Sequence, residues 1–204
     1  GKLSDEDYEI VPDDYLTPDD FYQTEDDYKA IMASILQNVS DAAKQTYLLD
    51  ALFAQCVPYT SGYYSLDAIY NHQIDAGNAL IYSFYKAFYQ AINKTNLVIE
   101  KGGKKEEFLK YKYACMVYRA YCYLTMVELW GDMPFVTKAP GDMSDIYIPR
   151  TSKDQIITSL INDLTEAEKS LPDDGDYMIC SKYLASALLA NAYLQKKDYS
   201  NVLT

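Results

Sequence analysis

Three observations predict an all-α protein. Apolar residues recur at three- and four-residue spacing through most of the chain between residues 28 and 193, the mark of helices with one buried face. Most glycines and prolines fall between these runs rather than inside them, where they punctuate instead of breaking. Only residues 135–137 (Phe-Val-Thr) and 146–148 (Ile-Tyr-Ile) read as strand.

The elements follow in order. Residues 1–23 hold Pro12, Pro18 and runs of acid, and read as an extended acidic N-terminal arm. Residues 24–204 read as one helical domain. Thr24, Glu25, Asp26 and Asp27 form a capping box ahead of Tyr28, Ile31, Ile35 and Val39. A second helix is expected over 41–56, with Asp41 as its cap. Residues 57–78 show no period and hold Pro58, Gly62 and Gly77, so they read as a long loop with a short helix near 65–71. A third helix spans 79–100 and stops at Gly102 and Gly103.

The fourth helix, 104–130, carries two adjoining stripes, one through Tyr111, Cys115, Tyr118 and Cys122, the other through Ala114, Val117, Tyr121 and Leu124. So wide an apolar surface predicts burial between neighbours on both sides. Ser152 caps a fifth helix with its stripe at Ile156, Ile157, Leu160, Leu164 and Ala167. The sixth, 181–196, is rich in alanine (Ala185, Ala187, Ala190, Ala192) and suits close helix contact. Leu189, Ala190 and Tyr193 have the spacing of the first helix of a tetratricopeptide repeat, with the turn expected at Lys197, Asp198 and Tyr199. A lone first helix of such a repeat cannot bury its apolar face.

Composition limits the function. The net charge is −12, which opposes nucleic-acid binding, since phosphates need a basic stripe, and equally opposes anionic lipid. No apolar run is long enough to cross a bilayer as a helix. One histidine and four cysteines without a CxxC offer no zinc set, and the acidic runs lack the spacing of a calcium loop. Cys115 and Cys122 lie two helical turns apart, too far to bridge, so free buried thiols are expected. No nucleophile–base pattern, phosphate-cradling loop or HExxH is present. Catalytic residues, metal and cofactor are accordingly none, and the expectation is a protein that is not an enzyme. Tyrosine stands out, at 22 residues against 6 Phe and 1 Trp. Such rings offer flat apolar faces together with a hydroxyl, which suits the binding of sugars. Gly1 reads as the scar of a removed tag, which places the natural N-terminus upstream.

The exit of the fourth helix, Trp130, Gly131, Asp132, then Pro134, reads as a terminator. Glycine accepts a positive φ, Asp132 is expected to tie the turn through its carboxylate, and proline keeps the helix from resuming. Trp130 is expected to be clamped rather than to stack on a sugar. Arg119, in mid-helix, needs acidic or carbonyl partners on a neighbouring helix. Asn93 and Asn96 read as inter-helix hydrogen-bond formers. The candidate ligand site is the 57–78 loop, with Tyr59, Tyr63, Tyr64, Tyr70, Asn71 and His72, beside Gln73 and Asn78. The competing reading packs these tyrosines on the scaffold.

The segment YRAYCYLTMVELWGDMPFVT (118–137) resembles the SusD/RagB family of Bacteroidetes outer-membrane lipoproteins. The likeness rests on Arg119 and Ala120 in an aromatic-rich helix and on the Trp130, Gly131, Asp132, Pro134 exit. Residues 17–36, with TEDDYKAIMASIL, then FYKAFYQAINKTNLVIE (84–100) and PRTSKDQIITSLINDLTEAEKSLP (149–172) fall in the family's order, and 183–203 resembles its next repeat helix. The resemblance implies a tetratricopeptide-like scaffold of four helix pairs, of which this chain is the N-terminal part, truncated to about half the family's length. It implies cell-surface glycan capture for nutrient uptake, as in starch and polysaccharide utilisation, alongside a SusC-like TonB-dependent transporter, with a lipid anchor upstream of residue 1. The alternatives are a helical-repeat adaptor for a peptide or protein partner, and an accessory domain of an enzyme.

Overall fold

A computed structural model describes residues 22–56, 76–102, 104–139, 149–173 and 182–203, with side chains described for 22–44, 86–102, 104–139, 149–173 and 182–197. Five α-helices carry it: α1 (Glu25–Cys56), α2 (Ala76–Lys101), α3 (Leu109–Trp130), α4 (Lys153–Ser170) and α5 (Lys182–Leu203). A 3-10 turn (Glu106–Phe108) leads into α3. Between α3 and α4 a two-residue ladder pairs β1 (Met133–Pro134) with β2 (Arg150–Thr151), antiparallel, with Met133 opposite Thr151. The fold is all-α.

Successive helices run up and down. Lys94 of α2 meets Ser34 and Asn38 of α1, and Arg119 of α3 meets Asp163 of α4. Ser186 and Lys196 of α5 meet Glu168 and Thr158 of α4, in antiparallel order. Gln195 donates from α5 to the Leu124 carbonyl of α3. Helix α3 is thus central, and its stripes are buried from Tyr111 through Ala114, Cys115, Val117, Tyr118 and Cys122 to Leu124, with Tyr121 of the second stripe only half-buried. Cys115 and Cys122 are buried free thiols, with Cys115 Sγ donating to Met32 Sδ at 3.6 Å. Burial pushes the Cys122 thiol far up its scale.

The start of α1 is fixed twice. Asp27 N–H donates to Thr24 Oγ1 at 3.3 Å and Thr24 N–H donates to Asp27 Oδ2 at 2.9 Å, the reciprocal capping box. Tyr28 then stacks on Tyr111 (ring centroids 5.0 Å apart) and packs on Phe108 at 4.6 Å. Tyr111 Oη donates to Glu25 Oε1 at 2.6 Å. Gly102 completes this corner by close approach: a Cβ there would lie 2.9 Å from the Val98 carbonyl oxygen and 3.1 Å from Tyr28.

Several boundaries differ from those read in the sequence. The helices expected at 24–39 and 41–56 are one helix of 32 residues. Asp41 caps nothing; it sits within the helix and accepts from Gln37 Nε2 one turn earlier. Nothing between Val39 and Ala42 forbids helical geometry, so the backbone continues. Gly77 and Asn78, placed in the loop, lie in the first turn of α2. Residues 104 and 105 precede the 3-10 turn, and α3 starts only at Leu109. The turn expected at Lys197, Asp198 and Tyr199 is absent, since α5 runs to Leu203 without glycine or proline to stop it. Residues 135–137 belong to no ladder; the pairing falls at Met133–Pro134 instead. Residues 146–148, the short helix near 65–71, Cys56's and Cys180's side chains, and all of the acidic arm except Tyr22 and Gln23 lie outside the described residues.

Candidate functional site

The exit of α3 is a helix end locked to its neighbours. Gly131 has φ 72° and ψ −128°, a region that side chains with a Cβ occupy only under strain. Its N–H still donates to the Val127 carbonyl at 2.8 Å. Trp130, the last residue of α3, is buried, so its ring faces protein and offers no open platform to a sugar. Asp132 does not tie its own turn. It reaches across to α4, where its Oδ1 accepts from the Lys153 N–H at 2.8 Å. Ser152 Oγ accepts from Gln155 N–H at 3.2 Å, so two side chains satisfy separate donors at the start of α4. Pro134 sits in β1 opposite Arg150.

After β1 the chain folds back over α2 and α3, and a buried polar cluster holds it. Val136 is bound on both sides of its peptide: its N–H donates to Tyr123 Oη at 2.7 Å, and its carbonyl lies 3.1 Å from the same oxygen. Asn96 Nδ2 donates to the Val136 carbonyl at 2.9 Å and to that of Lys138 at 3.3 Å. Ala139 N–H donates to Glu100 Oε2 at 2.6 Å. Phe135 meets the edge of Tyr123, with ring centroids 4.8 Å apart.

Arg119 joins this cluster to α4. Its Nη1 donates to Asn96 Oδ1 at 2.9 Å and its Nη2 to Asp163 Oδ2 at 2.8 Å. A guanidinium buried in the core thus has one charged and one amide acceptor, each on a different neighbouring helix, while its Nε meets no acceptor among the described residues. Burial drives the Tyr123 phenol far above its usual range, so it remains a neutral hydroxyl able to donate and accept at Val136. Asn93, expected to behave like Asn96, differs: it is buried, and its Oδ1 accepts no hydrogen bond among the described residues.

This arrangement binds protein to protein. Trp130, Gly131, Asp132 and Pro134 lie at the α3 exit and in the strand after it, and Arg119, earlier in α3, joins this lock only through Asn96. Tyr59, Tyr63, Tyr64, Tyr70, Asn71 and His72, with Gln73, lie outside the described residues. They belong to the connection between the end of α1 and the start of α2. Given the up-and-down order, both of those helix ends point the same way as the Trp130 end of α3. The sequence reading missed Tyr123, Glu100 and Asp163 as members of the lock. For Asp163, at i+7 from Ile156 but polar, the interrupted apolar stripe was the available signal. Among the described residues no group of His, Cys, Asp and Glu is placed to hold a metal ion.

Comparison with known proteins places this architecture. A family model described as starch-binding and associating with the outer membrane, SusD-like, matches residues 14–194. Two SusD-like proteins of Formosa agariphila are similar, one 30% identical over 138 residues and the other 29% over 134. Each alignment takes in 63% of this chain but only 27% and 26% of the relative, so the chain spans about a quarter of their length. Among solved structures, a SusD-like protein of Bacteroides fragilis aligns over 90% of this chain and 37% of its own, at TM-score 0.65 and 20% identity. A laminarin-binding SusD-like protein aligns over 85% and 40%, at TM-score 0.62 and 20% identity.

Proposed function

The chain belongs to the SusD-like family, and from that membership we propose that it captures glycans at the bacterial cell surface without cleaving them. The observation that carries the reading is the family match over residues 14–194. A similar fold in a protein described as laminarin-binding points to the same ligand class. Capture would hold an oligosaccharide for import by a SusC-like TonB-dependent transporter, with the protein tethered to the outer membrane by a lipid anchor. The tyrosine-rich connection supplies suitable chemistry: Tyr59, Tyr63, Tyr64 and Tyr70 offer ring faces to sugar C–H surfaces, and Asn71 and His72 offer hydrogen bonds to hydroxyls.

The test is binding of the full-length protein to a panel of neutral and charged oligosaccharides, with transporter co-purification in parallel. Replacing Tyr63 and Tyr64 together by alanine is expected to weaken binding about tenfold, the loss of one or two stacking contacts. Absence of any glycan binding together with absence of a co-purifying transporter would overturn the proposal. A helical-repeat adaptor is the second reading, favoured by the outer face of α5, where Tyr183 is 83% and Leu194 57% exposed beside exposed Ala187 and Ala190. A peptide or protein captured through that face, with no glycan bound, would select it.

A further inference from the structure

Lys94 lies in α2, turned toward α1, and is only 7% exposed. Its Nζ donates to Ser34 Oγ at 2.5 Å and to Asn38 Oδ1 at 2.7 Å. Asn38 Nδ2 in turn donates to Gln90 Oε1 at 3.4 Å. All three neighbours are neutral. The ion pairs among the described residues join Lys101 to Glu100, Lys110 to Glu25, Arg119 to Asp163 and Lys182 to Asp173, and Lys94 is in none of them.

A buried ammonium without a counterion is costly. Arg119, equally deep in the same array, has Asp163 to balance it. Among the described residues nothing balances the charge of Lys94, and burial pushes the pKa of the amine down. A methionine of similar length would fill the space at no such cost. The ammonium also has three N–H donors, of which two are used. Ser34, Asn38 and Gln90 are each half-buried, so this polar cluster between α1 and α2 reaches solvent at its edge. Among the described residues the Ser34 hydroxyl hydrogen and the Gln90 amide hydrogens remain as donors beside it.

We propose that the polar cluster around Lys94, between α1 and α2, is an anion subsite, in which the third Lys94 N–H donates to an anionic oxygen of a sugar, the carboxylate of a uronic acid or the sulfate of a sulfated unit. The bound anion supplies the missing counter-charge, and the neighbouring amide and hydroxyl hydrogens bind the sugar's own oxygens. This proposal rests on the glycan-capture reading for its ligand, and it adds a preference for acidic over neutral glycans.

The test is calorimetric titration of the full chain, at neutral pH and low salt, with galacturonate, galactose 6-sulfate and galactose. Both anions are expected to bind at least about tenfold more tightly than galactose, the difference a charge-assisted hydrogen bond makes. Lys94→Met is expected to bring them to the level of galactose; should that variant not fold, Lys94→Gln takes its place. The Nζ resonance of Lys94, followed by NMR as inorganic sulfate is added, reports contact without any variant and is expected to move. Equal binding of charged and neutral sugars, a preference that survives Lys94→Met, or a resonance that sulfate leaves in place would each overturn the subsite. If no sugar binds but sulfate still moves the resonance, the glycan reading fails and the anion site stands.

Discussion

Arg119 shows how one residue ties three parts of the chain together. Its two bonds join α3 to Asn96 on α2 and to Asp163 on α4, and Asn96 passes the link on to the carbonyls of Val136 and Lys138. Replacing Arg119 by methionine keeps the volume but leaves the Asn96 oxygen buried without its donor and Asp163 without its cation. The expected cost is about 3 kcal/mol, within the range for breaking a buried pair. Urea unfolding monitored by circular dichroism measures it; a loss below about 1 kcal/mol would mean the cluster is dispensable. The need for charged or amide partners was legible in the sequence, because a guanidinium among Tyr118, Ala120 and Cys122 is costly to bury without acceptors. Which partners it found was not legible, since Asp163 is 44 residues away.

At the scale of elements, helix starts were easier to read than helix ends. Thr24 and Ser152 both act as the caps their positions suggested, because a cap is a local contract between a side chain and an N–H two or three residues on. Ends depend on what happens next. The apparent break at Asp41 and the turn at Lys197, Asp198 and Tyr199 rested on residues that tolerate helix, and α1 and α5 run through them. The exit at Gly131 was readable because its φ of 72° suits glycine alone. Asp132 was misassigned to that turn; it caps α4 from outside, through Lys153. Ser152→Ala and Asp132→Ala are each expected to cost about 1 kcal/mol, and the double variant about 2 kcal/mol, as they serve different N–H groups. Thermal unfolding of the three variants decides this. A silent Asp132→Ala would show that water replaces the second cap.

Across the whole molecule, acid brings two effects into opposition. The chain carries a net charge of −12, so protonation relieves repulsion. It also removes local attractions at the aromatic corner where α1 meets α3. The Tyr111 hydroxyl, then the Lys110 ammonium, hold the Glu25 carboxyl below its ordinary value of 4.5. A carboxyl lowered in the folded state contributes stability above its unfolded pKa, and that contribution is lost as pH falls through the folded value. Urea midpoints measured from pH 7 down to about pH 3 are therefore expected to fall less steeply for Glu25→Gln than for the parent below about pH 4.5. Identical slopes would exclude the corner as a source of acid sensitivity. Charge balance also bears on binding, because a strongly acidic protein that takes up acidic sugars needs a screened local cation, and Lys94 lies in such a place.

The sequence by itself determined the helical class, the capped starts of α1 and α4, the central burial of α3 and the terminator at Gly131. Each of these follows from the period of apolar residues or from side chains acting within a few positions. Only the tertiary structure decided that α1 is continuous, that Asp132 serves α4, that Arg119 bridges Asn96 and Asp163, and that Lys94 is buried without a counterion among the described residues. Apart from the continuity of α1, these rest on contacts between residues 21 to 60 positions apart. They arise when helices pack and exclude water, which no local spacing records.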